Sequence, residues 1–457
     1  MIEKIQRHCF LSIVLMFPFS SYTVAPNIVV ATITAGVNPA GIAVTPDNRY
    51  AYVANNNNYL LTGTSVSVLD LTTNTLSKNI LDASFAQPYT VSINPAGTKA
   101  YITNSNGSTI SIIDIASNTV IGTITGFDGP SGMAITADGT TAYVNNYGGP
   151  GGAGSGNATT VRVVNLNTNL ITGSAITVGR APAGLALTPN GNFLYVINYV
   201  DGNVGTGTVS VVQTSDNTVV RTITGFSGPF AIAITPDGTR AYVTNFGSNN
   251  FDPHGSTVSV IDLLSNTIIA TINVGIQPAG IAITPDGKYA YVTNYNTLYA
   301  NPGFNNLTAG EGTVNIIDIA TNTVIAPIIV VGESPANLVV APNGQHAYVT
   351  NYASNTVNVI ALQSFTLAAQ GRKIQNRFLL QNDIVNQLTW SATGTSLPVS
   401  YSIYRDAGLT DLVATISASD SLQFFDHNRI ANATYTYYLV GTNSSGTTST
   451  PLVIVVS

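Results

Sequence analysis

Hydrophobic and polar positions alternate with a period of two along most of this chain, in short runs broken by turn residues. Gly280-Ile-Ala-Ile-Thr-Pro-Asp-Gly-Lys-Tyr-Ala-Tyr-Val-Thr-Asn294 shows the pattern: two β-prone runs flank a Pro-Asp-Gly turn. Thr257-Val-Ser-Val-Ile-Asp262 and the run 268–272 repeat it on either side of a polar turn at Ser265 and Asn266. Alternation with Val, Ile, Thr and Tyr enrichment predicts strands, and a 3.6-residue periodicity is absent. Large residues occupy both faces of these strands, so each sheet needs a neighbour on either side.

The pattern recurs. The Asn that closes a Tyr-Val/Ile-x-Asn signature stands at Asn55, Asn104, Asn146, Asn198, Asn245, Asn294 and Asn351, at spacings of 49, 42, 52, 47, 49 and 57 residues. Each copy parses into four strands, the length of a four-stranded propeller blade. The seventh copy loses the pattern after its third strand. Ile28-Val-Val-Ala-Thr-Ile33, ahead of the first copy, matches the fourth-strand sequence Ile268-Ile-Ala-Thr-Ile272 once its extra Val is set aside. The orphan strand and the three-stranded copy together make one whole blade, which predicts an all-β fold: a seven-bladed β-propeller closed by an N-terminal strand in the last blade.

Tyr242-Val-Thr-Asn245, Tyr291-Val-Thr-Asn294 and Tyr348-Val-Thr-Asn351 resemble the YVTN β-propeller repeat family, also described as surface-layer-type repeats. Tyr101-Ile-Thr-Asn104 and Tyr143-Val-Asn-Asn146 drift from the motif. The resemblance covers residues 26–362. It implies a propeller in a secreted or cell-surface protein, without implying a defined reaction.

The two ends read differently. Residues 1–25 carry Lys4 and Arg7, an apolar run over 9–19, then small and polar residues, the arrangement of a secretory signal peptide. The apolar run is shorter than the ~20 residues a bilayer span needs, and no other stretch is long enough. Residues 363–457 hold further strands around Trp390, Tyr401, Phe425, Tyr435 and Tyr437, and resemble a fibronectin type III-like β-sandwich; Tyr435 or Tyr437 would supply its tyrosine corner. The expected location is extracytoplasmic: secreted, periplasmic or on the cell surface.

Composition narrows the function. Asp, Glu, Lys and Arg make up 8% of the chain, against about 25% in ordinary soluble proteins. With 15 Lys+Arg and 21 Asp+Glu the net charge is -6, the wrong sign for nucleic acid. Removing residues 1–25 takes away Glu3, Lys4, Arg7 and Cys9, the one cysteine, leaving neither disulfide nor thiolate metal site.

In a propeller the loops joining strands four to one and two to three emerge on one face. The first set carries Pro39, Pro88, Pro130, Pro182, Pro229, Pro278 and Pro335; the second holds the length variation, over 56–64, 147–160, 246–257 and 295–313. Insertions gathered on one face mark a binding face. Tyr147, Tyr199, Phe246, Tyr295 and Tyr352 follow the motif directly, and Tyr299 and Phe304 lie farther out in the longest loop. They suit contact with carbohydrate or peptide. Recurrence at one position favours a wedge between neighbouring blades, because structure repeats more faithfully than function.

Candidate chemistry is sparse. Asp252 beside His254 is the one polar pair in a variable loop, and His346 and His427 stand apart from it. Asp70, Asp114, Asp262 and Asp318 end third strands and are expected to cap the turns that follow. No catalytic set, metal site or cofactor is expected. The reading is a monomeric, non-enzymatic scaffold for an extracellular protein or carbohydrate. The alternative, by analogy with enzymes on seven-bladed propellers, is a hydrolase of lactonase type at the channel mouth.

Overall fold

The structure is a computed structural model and describes residues 20–23, 27–57, 64–148, 158–199, 206–247, 255–295, 311–362, 365–378, 381–394, 397–427, 429–430, 433–442 and 451–456. The described residues contain strands and turns and no helix. The chain divides into two compact units, Asn27–Leu362 and a second made of Met1–Pro26 with Gln363–Ser457.

The larger unit is a β-propeller: four-stranded antiparallel sheets follow one another along the chain over residues 39–81, 88–125, 130–177, 182–227, 229–273 and 278–333. A further sheet joins Pro335–Val340, His346–Asn351 and Thr356–Ala361 to Ile28–Thr34 from the other end of the unit. In that sheet Val29 pairs with Ile360, Ile33 with Val357 and Thr34 with Thr356. First strands lie side by side in order, and Pro335–Val340 lies beside Pro39–Val44.

The four motif residues have separate tasks. Every motif Tyr is buried, and in five sheets its hydroxyl crosses to the next sheet and donates to an Asn, in four of them one in the third-to-fourth turn. The pairs are Tyr143 with Asn217 (3.2 Å), Tyr195 with Asn266 (2.6 Å), Tyr242 with Asn322 (2.6 Å), Tyr291 with Asn27 (2.5 Å), and Tyr52 with Asn118. These Asn residues sit at positive φ, 53° to 61°, a conformation Asn tolerates well. Asn27 fills from the N-terminal side the place that a turn Asn fills elsewhere.

The motif Val is core. The motif Thr answers a defect in the first strand, whose register slips just after its Pro and leaves one N–H outside the ladder. Thr244 Oγ1 accepts that N–H from Ala231 (2.9 Å) and donates to the Ala279 carbonyl of the next sheet (3.0 Å). Thr350 does the same for Asn337 and Ala40, at 3.1 and 2.7 Å. Asn145, standing in for Thr, bridges Gly132 and the third-to-fourth sheet boundary through its amide.

The motif Asn pins the third strand. Asn245 Nδ2 donates to Thr257 and Ser259 hydroxyls at 2.9 Å each, and Asn55, Asn104, Asn198, Asn294 and Asn351 each reach two acceptors likewise. Backbone approach is close between first strands: a Cβ on Gly280 would lie 2.8 Å from Asn337 Cα, and one on Gly184 2.8 Å from the Phe230 carbonyl oxygen. Glycine is required there by packing.

In the second unit, Phe365–Phe378, Gln381–Gly394 and Gln423–Asp426 form one sheet, and Leu412–Ser417, Ser400–Tyr404, Tyr435–Thr442 and Leu452–Val456 another, in those orders. Ser20–Thr23, within the segment expected to be a leader, pairs with 366–369 at the edge of the first sheet. Residues 1–19 and 24–26 lie outside the described residues. Trp390, Tyr401 and Tyr437 are in the core of this unit. Tyr435 accepts the Ile430 N–H on its hydroxyl (3.0 Å). Tyr437 instead donates to buried Asp426 (2.6 Å), which also meets Arg405 (3.0 Å) and Arg429 (3.4 Å).

Candidate functional site

The residue after each motif Asn is fixed by the backbone. Its N–H donates to the carbonyl of the residue just before the first-strand Pro: Tyr147 to Gly129 (3.0 Å), Tyr199 to Ala181 (3.1 Å), Phe246 to Gly228 (2.9 Å), Tyr295 to Gln277 (2.9 Å) and Tyr352 to Ser334 (3.0 Å). The pre-proline residue adopts positive φ in all seven copies, Ala181 at 51° and Gln277 at 53° among them. That turn costs of order 1–2 kcal/mol in a residue with a Cβ, and proline further disfavours it in its predecessor. Its recurrence means that the surrounding sheet ends impose it.

This geometry gathers the five described candidate aromatics at the first-strand end of the propeller. All five are half-buried. Ring centroids lie 6.1 Å apart for Phe246 and Tyr295 and 6.4 Å apart for Tyr295 and Tyr352. Two residues that sequence reasoning missed join them. Phe230 sits 6.4 Å from Tyr199 and 5.3 Å from Phe246, linking the fourth sheet to the fifth. Tyr89 completes the set: burial, then the neighbouring phenols Tyr147, Tyr295 and Tyr352, push its pKa up. Both lie one residue after the first-strand Pro, where other copies have Ala or Ser, so an aromatic there was the available signal.

Burial also raises the Tyr147 phenol, and Tyr199 is pushed up to about 12 by burial and by Tyr147. The phenols therefore stay protonated at neutral pH, able to donate and accept hydrogen bonds; Tyr199 donates to the Gly247 carbonyl (2.8 Å). The rings also span from sheet to sheet, so the aromatic mouth and the wedge between neighbours are one arrangement. The seven first strands flooring this mouth contain no Asp, Glu, Lys, Arg or His.

Tyr299, Phe304, Asp252 and His254 lie outside the described residues, as does most of each long loop. Asp70, Asp114, Asp262 and Asp318 cap turns: Asp114 accepts the Ser117 N–H (2.9 Å) and hydroxyl (2.6 Å), and Asp318 the Thr321 N–H (2.9 Å). Burial lowers the His346 pKa. Among the described residues no group of three His, Cys, Asp or Glu side chains is placed to hold a metal ion, and no helix is long and apolar enough to cross a membrane.

The fold defines the class, a β-propeller carrying an aromatic mouth. Comparison with solved structures agrees: the chain is similar to Kuenenia stuttgartiensis hydrazine synthase, with a TM-score of 0.59 and 22% identity over 71% of this chain and 96% of that one. At that identity the likeness speaks for the propeller fold alone. No protein-family model matches the chain. It is 47% identical over 57 residues to the PE-PGRS family protein PE_PGRS18 of Mycobacterium tuberculosis (strain ATCC 25618 / H37Rv). That segment is 12% of this chain and 12% of the relative, so the chain matches about an eighth of the relative's length.

Proposed function

We propose that the chain is a seven-bladed β-propeller of the YVTN repeat type, closed by Ile28–Thr34, with a fibronectin type III-like sandwich. It works outside the cytoplasm as a monomeric, non-enzymatic scaffold that binds an extracellular carbohydrate or protein at its aromatic mouth. The observation that carries this reading is convergence: successive post-motif aromatics 47 to 57 positions apart in sequence meet as one half-buried aromatic surface. Half-buried aromatics held by the backbone lose little freedom on contact, which favours binding. The absence of Asp, Glu, Lys, Arg and His from the first strands favours recognition at the mouth over chemistry within the channel. The sheet orders and the Tyr435 bond support the sandwich assignment.

A glycan and peptide array probed with wild type and with a Phe246→Ala/Tyr295→Ala double variant tests the reading. Each lost stack is worth about 1 kcal/mol, so the double variant is expected to bind at least tenfold more weakly. Undiminished binding by a variant that keeps the wild-type melting temperature refutes the assignment of the face.

A further inference from the structure

We infer that the ligand of the aromatic mouth is a neutral oligosaccharide, stacked through the apolar faces of its pyranose rings; this rests on the binding face proposed above. The first argument is the spacing of the rings. Consecutive centroids from Tyr199 through Phe230, Phe246 and Tyr295 to Tyr352 are 5.3 to 6.4 Å apart, with interplanar angles from 35° to 82°. Rings at that spacing touch one another. They form a continuous faceted platform rather than a box around a void, so the aromatic cage that a quaternary ammonium needs is not built here.

Charge supplies the second argument. The first strands hold no Asp, Glu, Lys, Arg or His, so an ionised ligand group buried against them would meet no counter-charge there. A uronic acid, a phosphorylated sugar or a charged peptide is therefore disfavoured against a neutral ligand. The third argument is the chemistry of the rim. Burial raises the Tyr89, Tyr147 and Tyr199 phenols, so each stays a protonated hydroxyl at neutral pH; Tyr199 donates to the Gly247 carbonyl and keeps its acceptor. A ligand with an apolar face and an edge of hydroxyls matches this platform, and a pyranose has both.

Packing below the mouth closes the argument. Gly184 and Gly280 let adjacent first strands approach until a Cβ would sit 2.8 Å from the neighbouring backbone. Neighbouring first strands are therefore tightly joined at these two boundaries beneath the platform.

Titration calorimetry tests this with purified full-length chain against neutral hexaoses of glucose, mannose and N-acetylglucosamine, an oligouronate and a pool of extended peptides. At least one neutral hexaose is expected to bind. Phe230→Ala and Tyr295→Ala should each weaken it about fivefold, Tyr295→Phe about threefold, and Leu264→Ser, at an exposed site away from the mouth, not at all. Tyr295→Phe keeps the ring, so it reports on the hydroxyl if the alanine variants fail to fold. Binding confined to the oligouronate or to peptides, but still lost in Tyr295→Ala, overturns the ligand class while the face stands. Binding that the mouth variants leave unchanged overturns both. Failure of every neutral hexaose to bind overturns the ligand class.

Discussion

The hydroxyl of Thr350 joins the seventh sheet to the first, and replacing it with a methyl group measures what that junction is worth. Thr350 is fully buried. Its Oγ1 accepts the Asn337 N–H at 3.1 Å and donates to the Ala40 carbonyl at 2.7 Å. Thr350→Val keeps the shape and removes both bonds, leaving a donor and an acceptor without a partner. An orphaned buried group costs about 1–3 kcal/mol. Valine recovers about 0.5–1 kcal/mol through β-propensity and apolar burial. The expected net loss is about 2–4 kcal/mol. Thr350→Ser keeps the hydroxyl and loses one methyl, at about 1 kcal/mol.

Urea unfolding followed by far-UV circular dichroism gives the comparison. Trp390 is the single tryptophan and lies in the other compact unit, so its fluorescence serves as an internal control that should not shift. Thr244→Val, which removes the equivalent bonds to Ala231 and Ala279 between the fifth and sixth sheets, should cost a similar amount if the ring unfolds as one cooperative body. A Thr350→Val protein within 0.5 kcal/mol of Thr350→Ser would refute the claim that motif threonines compensate the first-strand bulge.

Glycine packing gives a second contrast: Gly280→Ala places a methyl against the next sheet's backbone and should cost about 1–3 kcal/mol, whereas Gly122→Ala meets nothing within 4 Å and should leave the melting temperature unchanged or slightly higher. Acid should weaken the propeller through its turn caps. The Ser117 hydroxyl lowers the Asp114 pKa, the Thr72 hydroxyl lowers that of Asp70, and the Ser265 N–H lowers that of Asp262. Folded values below the unfolded value of about 3.9 mean that the stabilisation is present above pH 4 and drains away as pH falls through the folded values. Thermal melts should therefore separate Asp114→Asn from wild type at pH 6 and bring the two together at pH 2. Deleting residues 27–34 removes the outer strand of the seventh sheet and the Tyr291 partner Asn27. The expected result is faster amide exchange across Thr356–Ala361, reversed by a peptide of residues 27–34 added in trans.

The strand pattern and the repeat were open to sequence reasoning because a period of two and a motif repeated seven times are local features. The match between residues 28–33 and the fourth strands was legible for the same reason. Geometry that arises between copies was not. Tyr89 and Phe230 look like isolated aromatics in first strands and become part of the mouth only when neighbouring sheets bring them beside Tyr147 and Tyr199. The positive φ before each proline was hidden too, since Ala181 or Gln277 in that conformation contradicts local preference and is imposed by the sheet ends.

The same distinction separates architecture from recognition. In the Tyr-Val-Thr-Asn motif every polar atom described above is spent within the propeller: the Tyr hydroxyl on the next sheet's turn, the Thr hydroxyl on a bulge and a neighbouring carbonyl, the Asn amide on the third strand. The acceptor left over, the Oδ1 of Asn55, Asn198, Asn245, Asn294 and Asn351, is buried, so the motif presents no exposed polar atom there to a ligand. Variation that does not disturb the fold must lie where the backbone alone fixes position. The residue after the motif is such a place, because its N–H makes the recurring bond and its side chain is free to differ. Asn56 and Ser105 occupy it in the first two copies and aromatics in the other five, each with the same N–H bond to the pre-proline carbonyl. This position is therefore uneven around the mouth, polar in the first two copies and aromatic in the other five. An uneven mouth gives an extended ligand a direction in which to lie.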